Sequence, residues 1–324
     1  MLKKAVKKFL SVVLATAMVV SSITVYGASV KVPEDRVLTS VKEYSIAPGI
    51  KEKHITTVDK DGNNQVQAYM AEIDLKTSSV GMMAGYKNYD KTGKWGMQTV
   101  RDQAKAAEKA TGKTIVAAIN GDYFDMGTGQ PWGSLVMGGD IVQTQNDHPY
   151  FAIMKDGTAD CREAYEPLDD VVEAIGSPFF LVKDGKALEE LAADPYAMPR
   201  CAVGIKADGS VIIYEADGRQ APKSCGQSLY ETAKQMEAMG CVEALYLDGG
   251  GSATFATKTE GTDSLEVKNS PSDGTERKVS SSLFIYSDAK ADGEFDHATI
   301  SPLEEVYTPG STVQFEATGV DSAG

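Results

Sequence analysis

Residues 240–255 read GCVEALYLDGGGSATF, an apolar run closed by one aspartate, three glycines and a serine. Three consecutive glycines are expected where a backbone bends sharply or comes close to another group. Residues 112–124, GKTIVAAINGDYF, repeat the layout, a stopping glycine, an apolar run and then a polar residue followed by glycine. In both stretches eight positions separate the glycine from the first polar residue, 112 to 120 and 240 to 248. Either the likeness is chance, or two equivalent strands lie side by side in one sheet and carry Asn120 and Asp248 to the same edge.

Each run follows a predicted helix. In TVRDQAKAAEKATG, Val100, Ala104 and Ala107 share one face and Gly112 provides the stop. In SLYETAKQMEAMG, Ser228 and Glu231 have the spacing of a capping box, Leu229, Ala233 and Met236 form the apolar stripe, and Gly240 ends the helix. Elsewhere short apolar runs alternate with Asp-Gly pairs at 61–62, 156–157, 184–185, 208–209 and 217–218, and SLVMGGDIVQ turns about Gly138-Gly139. These read as β-hairpins, in which glycine supplies positive φ. The expected fold is α+β, a mixed and largely antiparallel β-sheet body with a few helices.

The ends differ from this body. Lys3, Lys4, Lys7 and Lys8 precede a mostly apolar stretch, and Val25 and Gly27 stand at the −3 and −1 positions of a cleavage site before Ala28. Residues 1–27 are therefore expected to be a secretory signal peptide, giving a secreted or cell-surface protein without stable membrane insertion. Residues 28–58 read as an N-terminal strand and linker, 59–287 as the catalytic body, and 288–298 as a second linker. Residues 299–324 alternate like the start of an immunoglobulin-like β-sandwich, two strands where about seven are needed.

The formal charge is −14, and without residues 1–27, which carry four lysines and no acid, it becomes −18. That excludes a general nucleic-acid binder, and any phosphate site has to be locally positive. Cys161, Cys201, Cys225 and Cys241 contain no CxxC pair and are read either as disulfide partners or as buried thiols. His54, His148 and His297 are too scattered for an HExxH or Cys/His zinc site. Oligomeric state is left open by the sequence.

The loops carry the chemistry. Asp248 follows a core strand, and the amides of Gly249, Gly250 and Gly251 are candidates for an anion-cradling nest, with Ser252 as a further donor. No GK[ST] follows and Ser252 lacks GxSxG flanks, so neither a phosphate-binding P-loop nor a serine elbow is indicated. In INGDYFDMGTGQPWGSL, Asn120, Asp122 and Asp125 lie near Tyr123, Phe124 and Trp132, a mixture of polar edges and aromatic faces suited to sugar rings. Arg200 and Arg277 precede strands, where a guanidinium fork is suited to a phosphate.

Together these blocks resemble the phosphodiester glycosidase family over about Gln65 to Tyr286. The likeness rests on INGDYF with PWGSL, GSPFFLVKDGK, PRCAVGIKADGSVIIY, the stretch from Gly226 to Phe255, and NSPSDGTERKV, in that order. It implies hydrolysis of a sugar-1-phosphodiester, releasing the sugar and leaving a phosphomonoester. By position, Asn120, Asp122, Phe124, Gly133, Arg200, Asp248, Gly249, Gly250, Ser252, Asn269 and Arg277 fall in the family's blocks, and Asp248, Asp122 and Arg200 are the expected catalytic residues. Substrate or phosphate binding is expected of Asn120, Phe124, Gly133, Gly249, Gly250, Gly251, Ser252, Asn269 and Arg277. No cofactor is expected; Asp122, Asp125 and Asp248 are the set that would hold calcium or magnesium if the enzyme instead cut the P–O bond. A non-catalytic module binding an anionic polysaccharide is the other reading. The expected partners are a glycosyl phosphodiester or a phosphate-containing wall polymer or exopolysaccharide.

Overall fold

The computed structural model describes residues 30–145, 147–301 and 309–324, so the signal peptide expected at 1–27 lies outside the described residues. Strands β1 (Arg36–Ala47), β2 (Ile50–Asp59), β3 (Val66–Ile73) and β4 (Val80–Tyr86) lead to helix α1 (Val100–Thr111). There follow β5 (Ile115–Asn120), β6 (Leu135–Met137), β7 (Asp140–Gln143), β8 (Tyr150–Met154), β9 (Ala159–Arg162) and β10 (Val171–Gly176). Next come β11 (Phe180–Lys183), β12 (Lys186–Ala187), β13 (Arg200–Lys206) and β14 (Val211–Ala216), then helix α2 (Leu229–Ala238). The chain continues through β15 (Cys241–Leu247), β16 (Phe255–Lys258), β17 (Leu265–Val267) and β18 (Ser281–Ser287) to a pair, β19 (His297–Ser301) and β20 (Glu316–Val320).

Three antiparallel sheets form the body. One has the order β1-β2-β3-β14-β13-β15-β11-β12, a second β17-β16-β5-β18-β4, and a third β7-β6-β10-β8-β9. They share a core in which Val203, Leu245 and Leu247 meet Ile119, Phe255 and Leu283 of the second sheet and Phe151 and Ile175 of the third. On its other side the second sheet is covered by α1, whose Val100, Ala104 and Ala107 pack against Ile115, Ala118 and Phe284. With both faces covered, every residue of β5 is buried, hence its unbroken apolar sequence.

The expected stop at Gly112 and the expected capping box are both present, and Thr99 adds an N-cap that the sequence reading did not single out. The Thr99 hydroxyl accepts from Asp102 N, and Gly112 adopts φ 71° at the C-terminal end of α1. Ser228 and Glu231 form the complete capping box of α2, an arrangement worth about 1 kcal/mol. Four of the five Asp-Gly pairs, and Gly138-Gly139, lie in hairpin turns between consecutive antiparallel strands.

Three expectations need correction, and the open alternative for the cysteines is resolved. β5 and β15 are not neighbours in one sheet; they belong to two packed sheets whose ends converge. Residues 28–58 are not a strand and linker leading to the body, because β1 and β2 are full members of the first sheet. Asp217-Gly218 does not turn a hairpin: Asp217 is 1% exposed and its carboxylate accepts from Ser270 N. All four cysteines are free thiols. At the C-terminal end β19 and β20 pair with each other, His297 opposite Val320, which is one hairpin and defines no sandwich. No helix among the described residues is long and apolar enough to cross a membrane.

Candidate active site

Strand β15 ends at Leu247 and β5 at Asn120, and the loops that follow are tied together. Asp248 N donates to Gly121 O at 2.8 Å. The Asn120 side chain donates to Asp248 O at 2.5 Å and accepts from Thr254 N at 2.9 Å and from the Cys201 thiol at 3.3 Å. Asn120 is fully buried with both ends of its amide engaged. It is a latch between the loops rather than the substrate-binding residue expected from the sequence.

The latch brings two carboxyls into one electrostatic unit. Asp122 is 2% exposed; its Oδ2 accepts from Gly133 N at 2.6 Å, while Oδ1 is buried without a hydrogen-bond partner. Burial raises its pKa to about 7, against the lowering effect of the Gly133 amide, and the Asp248 charge adds to the rise. Its pocket has room for no side chain at two facing glycines. A Cβ on Gly176 would lie 2.5 Å from Asp122 Oδ2 and from Gly133 Cα, and one on Gly133 would lie 2.7 Å from Gly176 Cα. Gly133 therefore holds the acid rather than the substrate. Asp248, half-buried, is raised to about 6 by burial, opposed by the Ser252 hydroxyl and the Arg277 charge.

The three glycines are packed by approaching groups. A Cβ on Gly249 would lie 2.4 Å from Tyr246 Oη and 2.6 Å from Pro199 O. One on Gly251 would lie 1.9 Å from an Arg277 Nη and 2.4 Å from Asp273 Oδ1. Gly250, at φ +62°, lies beneath Arg219, whose guanidinium would be 3.3 Å from a Cβ there. Of the three amides expected to form a nest, that of Gly250 is turned away and donates to Pro199 O, and that of Gly249 serves Asp248, so the three do not face one anion together. Local positive charge comes from side chains instead. Arg277 is held by Asp273, which accepts from Nε at 2.7 Å, and its Nη1 donates to Ser252 Oγ at 3.4 Å.

Arg200 is also placed differently from expectation. It is 2% exposed, and it donates to Gln227 O at 2.9 Å, to Tyr246 Oη at 3.2 Å and to Tyr196 O at 2.7 Å. A fork so occupied positions Tyr246 rather than gripping a phosphate. Phe124 belongs to the core beneath α1, and Asn269 bonds Phe255 N, Ala253 O and Asp217. Neither faces the site. Asp125 is exposed and bonds Gly127 N and Thr128 N in its own turn, so the Asp122–Asp125–Asp248 cation trio does not form. Among the described residues no three His, Cys, Asp or Glu side chains have metal-binding spacing.

An aromatic wall completes the site. Tyr246 stacks on Phe179 with centroids 5.1 Å apart, Tyr123 meets the Tyr246 edge at 6.0 Å, and Trp132 meets Tyr123 at 5.4 Å. Trp132 is 49% exposed, a large apolar face left to solvent beside polar groups, as a sugar platform requires. Tyr246, Phe179 and Arg219 were missed by sequence reasoning. Tyr246 lay inside an apolar run and Phe179 inside a family block; the only sign of Arg219 was its place after an Asp-Gly pair read as a hairpin.

The sequence profile described as phosphodiester glycosidase matches residues 113–286, and the chain belongs to that family. It is 29% identical over 161 residues to the mouse N-acetylglucosamine-1-phosphodiester alpha-N-acetylglucosaminidase, covering 43% of this chain and 31% of the mouse protein. It is 39% identical over 98 residues to the SPbeta prophage-derived uncharacterized protein YomE of Bacillus subtilis, covering 30% of this chain and 14% of that one. The matches thus span about a third or less of those relatives' length. Among solved structures, the zebrafish N-acetylglucosamine-1-phosphodiester alpha-N-acetylglucosaminidase catalytic domain superposes with a TM-score of 0.58 at 22% identity, covering 78% of this chain and 88% of that one. A Synechocystis hypothetical protein gives 0.59 at 14% identity, covering 77% and 64%. These likenesses show the fold.

Proposed function

We propose that this chain is an exported hydrolase that cleaves the bond between C1 of a sugar and the oxygen of a phosphodiester, releasing the sugar and leaving a phosphomonoester. The observation that carries the reading is geometric: the buried Asp122, with Oδ2 on Gly133 N and Oδ1 unpartnered, is held by the Asn120 latch in the field of Asp248, beside Arg277 and the Trp132–Tyr123 wall. Burial raises both carboxyls, so one of the pair is suited to hold a proton while the other is ionised, the division of labour that glycoside hydrolysis uses.

The leaving group is a phosphate whose second pKa is about 6, so its departure needs charge neutralisation more than a strong acid. Arg277 beside Ser252 supplies positive charge, and the Asp122 proton a further donor. Asp248 takes a proton from water as the oxygen attacks C1; the C1–O electrons leave with the phosphate oxygen. Trp132 and Tyr123 present the face on which the sugar ring rests. We assign the substrate to phosphate-linked glycans outside the cell, consistent with the export signal read at residues 1–27.

The test is hydrolysis of UDP-N-acetylglucosamine or a methyl phosphodiester of N-acetylglucosamine in oxygen-18 water. Label in the released sugar supports C–O cleavage. Label in the phosphate overturns it in favour of a phosphodiesterase, and saturable binding without product identifies a binding module.

A further inference from the structure

We infer that Arg219 is a specificity-determining residue which, with Arg277, forms a two-guanidinium clamp over the glycine turn and selects the phosphate of the substrate. The inference deepens the function proposed above and rests on it for the identity of the anion. Its starting point is the spacing over the turn. Arg219 Nη2 and Nη1 lie 3.3 and 3.5 Å from where a Gly250 Cβ would be, and an Arg277 Nη lies 1.9 Å from the corresponding point on Gly251. Two adjacent residues without side chains therefore seat two guanidinium groups, next to the turn's first residue, Asp248. A pair of forks so placed suits an oxyanion with several acceptor oxygens.

The bonding of the two arginines differs. Arg277 is tied to Asp273 and to Ser252. Arg219 is exposed, its one hydrogen bond within the described residues is to the Met198 sulfur at 3.1 Å, and no carboxylate among them pairs with it. Acids outnumber bases in this chain by 46 to 32, so an arginine left without an acid is conspicuous. A thioether is a weak acceptor and leaves the guanidinium's donors to a ligand.

The backbone gives a second, independent observation. Arg219 sits at φ 60°, in the left-handed region that costs a residue with a Cβ and that glycine enters freely. It follows Gly218, and the next loop residues return through Ser224, which exchanges main-chain hydrogen bonds with Gln220. Strain retained at one residue of a closed loop, with its side chain delivered over the site, is the pattern of a functional position. The net acidity of the chain supplies the need, since a phosphate approaches against it unless cations stand at the entrance.

The experiment compares the wild-type chain with Arg219→Gly and Arg219→Lys. Arg219→Gly removes the guanidinium while relieving the backbone, so its melting temperature should equal or exceed the wild type's. Binding of N-acetylglucosamine 1-phosphate and of the neutral methyl N-acetylglucosaminide is measured by calorimetry. The clamp predicts that Arg219→Gly binds the phosphate at least tenfold more weakly and the neutral sugar within twofold of wild type, with Arg219→Lys in between. Equal phosphate affinity in wild type and Arg219→Gly, an equal loss for both ligands, or no phosphate binding by the wild type overturns it. Oxygen-18 turnover is recorded alongside: absence of turnover with phosphate binding that depends on Arg219 removes the hydrolase reading and leaves the clamp standing.

Discussion

The main-chain amide of Asp248 donates to the carbonyl of Gly121 at 2.8 Å, although the two residues follow strands of different sheets. This bond, with the Asn120 amide spanning Asp248 O and Thr254 N, fixes the separation of two acidic loops more firmly than either loop could alone. The first prediction follows from the latch. Asn120→Ala leaves Thr254 N without its partner in a fully buried place and Asp248 O without its partner in a part-buried one, which costs about 1–3 kcal/mol. Urea unfolding should register that loss, with hydrolysis reduced more than the unfolded fraction explains. Unchanged stability would remove the latch from the account.

The pH dependence of stability comes from acids raised by burial. Asp122 stands at about 7, Glu173 at about 7 and Asp217 at about 6, against 3.8 for a free aspartate and 4.5 for a free glutamate. Each folded-state acid keeps its proton at a pH where the unfolded chain has lost it. The folded state therefore binds more protons between about pH 4 and 7, and stability falls as pH rises through that window. The contribution is fully present below the unfolded values and lost above the folded ones. Asp122→Asn keeps an acceptor for Gly133 N and removes the charge, so its melting temperature should exceed the wild type's at pH 8 by the equivalent of roughly 2–4 kcal/mol and match it near pH 4. A pH-independent difference would contradict this assignment.

The elements were legible where the determining contacts are local. Gly112, Ser228, Glu231 and Gly240 mark helix ends by bonds to residues a few positions away, and four of the Asp-Gly turns join strands adjacent in sequence. Roles that depend on distant partners were not legible. Asp217-Gly218 has the composition of a turn, but Asp217 bonds Ser270, 53 residues on, and is drawn into the interior. Asn120 and Asn269 have the residue type of ligand-binding groups, yet each caps main chain of a neighbouring segment. Arg200 was read as a fork for phosphate because sequence does not reveal that Gln227 O and Tyr246 Oη lie within its reach. The meeting of the Asn120 and Asp248 loops was legible in the matching spacing of the two units, but not that their strands belong to two packed sheets rather than one.

Asp248→Asn is the decisive substitution for the chemistry. The amide is close in size and leaves the bonds from Asp248 N and O intact, because those belong to the main chain. The fold should persist, with a melting temperature within a few degrees of wild type, while kcat falls by about a thousandfold or more through loss of the base. In the wild type the pH profile of kcat/KM should rise as Asp248 ionises near 6 and fall as Asp122 ionises near 7, giving a narrow maximum between them. Near-normal turnover by the variant would transfer the role to another group.

Gly251→Ala tests why the turn is made of glycines. The new methyl would begin 1.9 Å from an Arg277 Nη and 2.4 Å from Asp273 Oδ1, closer than real contacts allow, and Ser252 behind it is 1% exposed. The flexible end of Arg277 is the part free to move, so the side chain swings away while the main chain stays. The expected result is a loss of about 10–100-fold in kcat/KM on a glycosyl phosphodiester, with a stability change under about 1.5 kcal/mol. Gly249→Ala should differ in kind, since its methyl would meet the rigid Pro199 carbonyl at 2.6 Å and Tyr246 Oη at 2.4 Å, and Tyr246 is itself held by Arg200 and stacked on Phe179. That variant should lose stability as well as activity, by about 1–3 kcal/mol. Measuring both melting curves beside both activities separates a turn shaped for its two arginines from one shaped only to close a strand; equal stability losses in the two variants would favour the second.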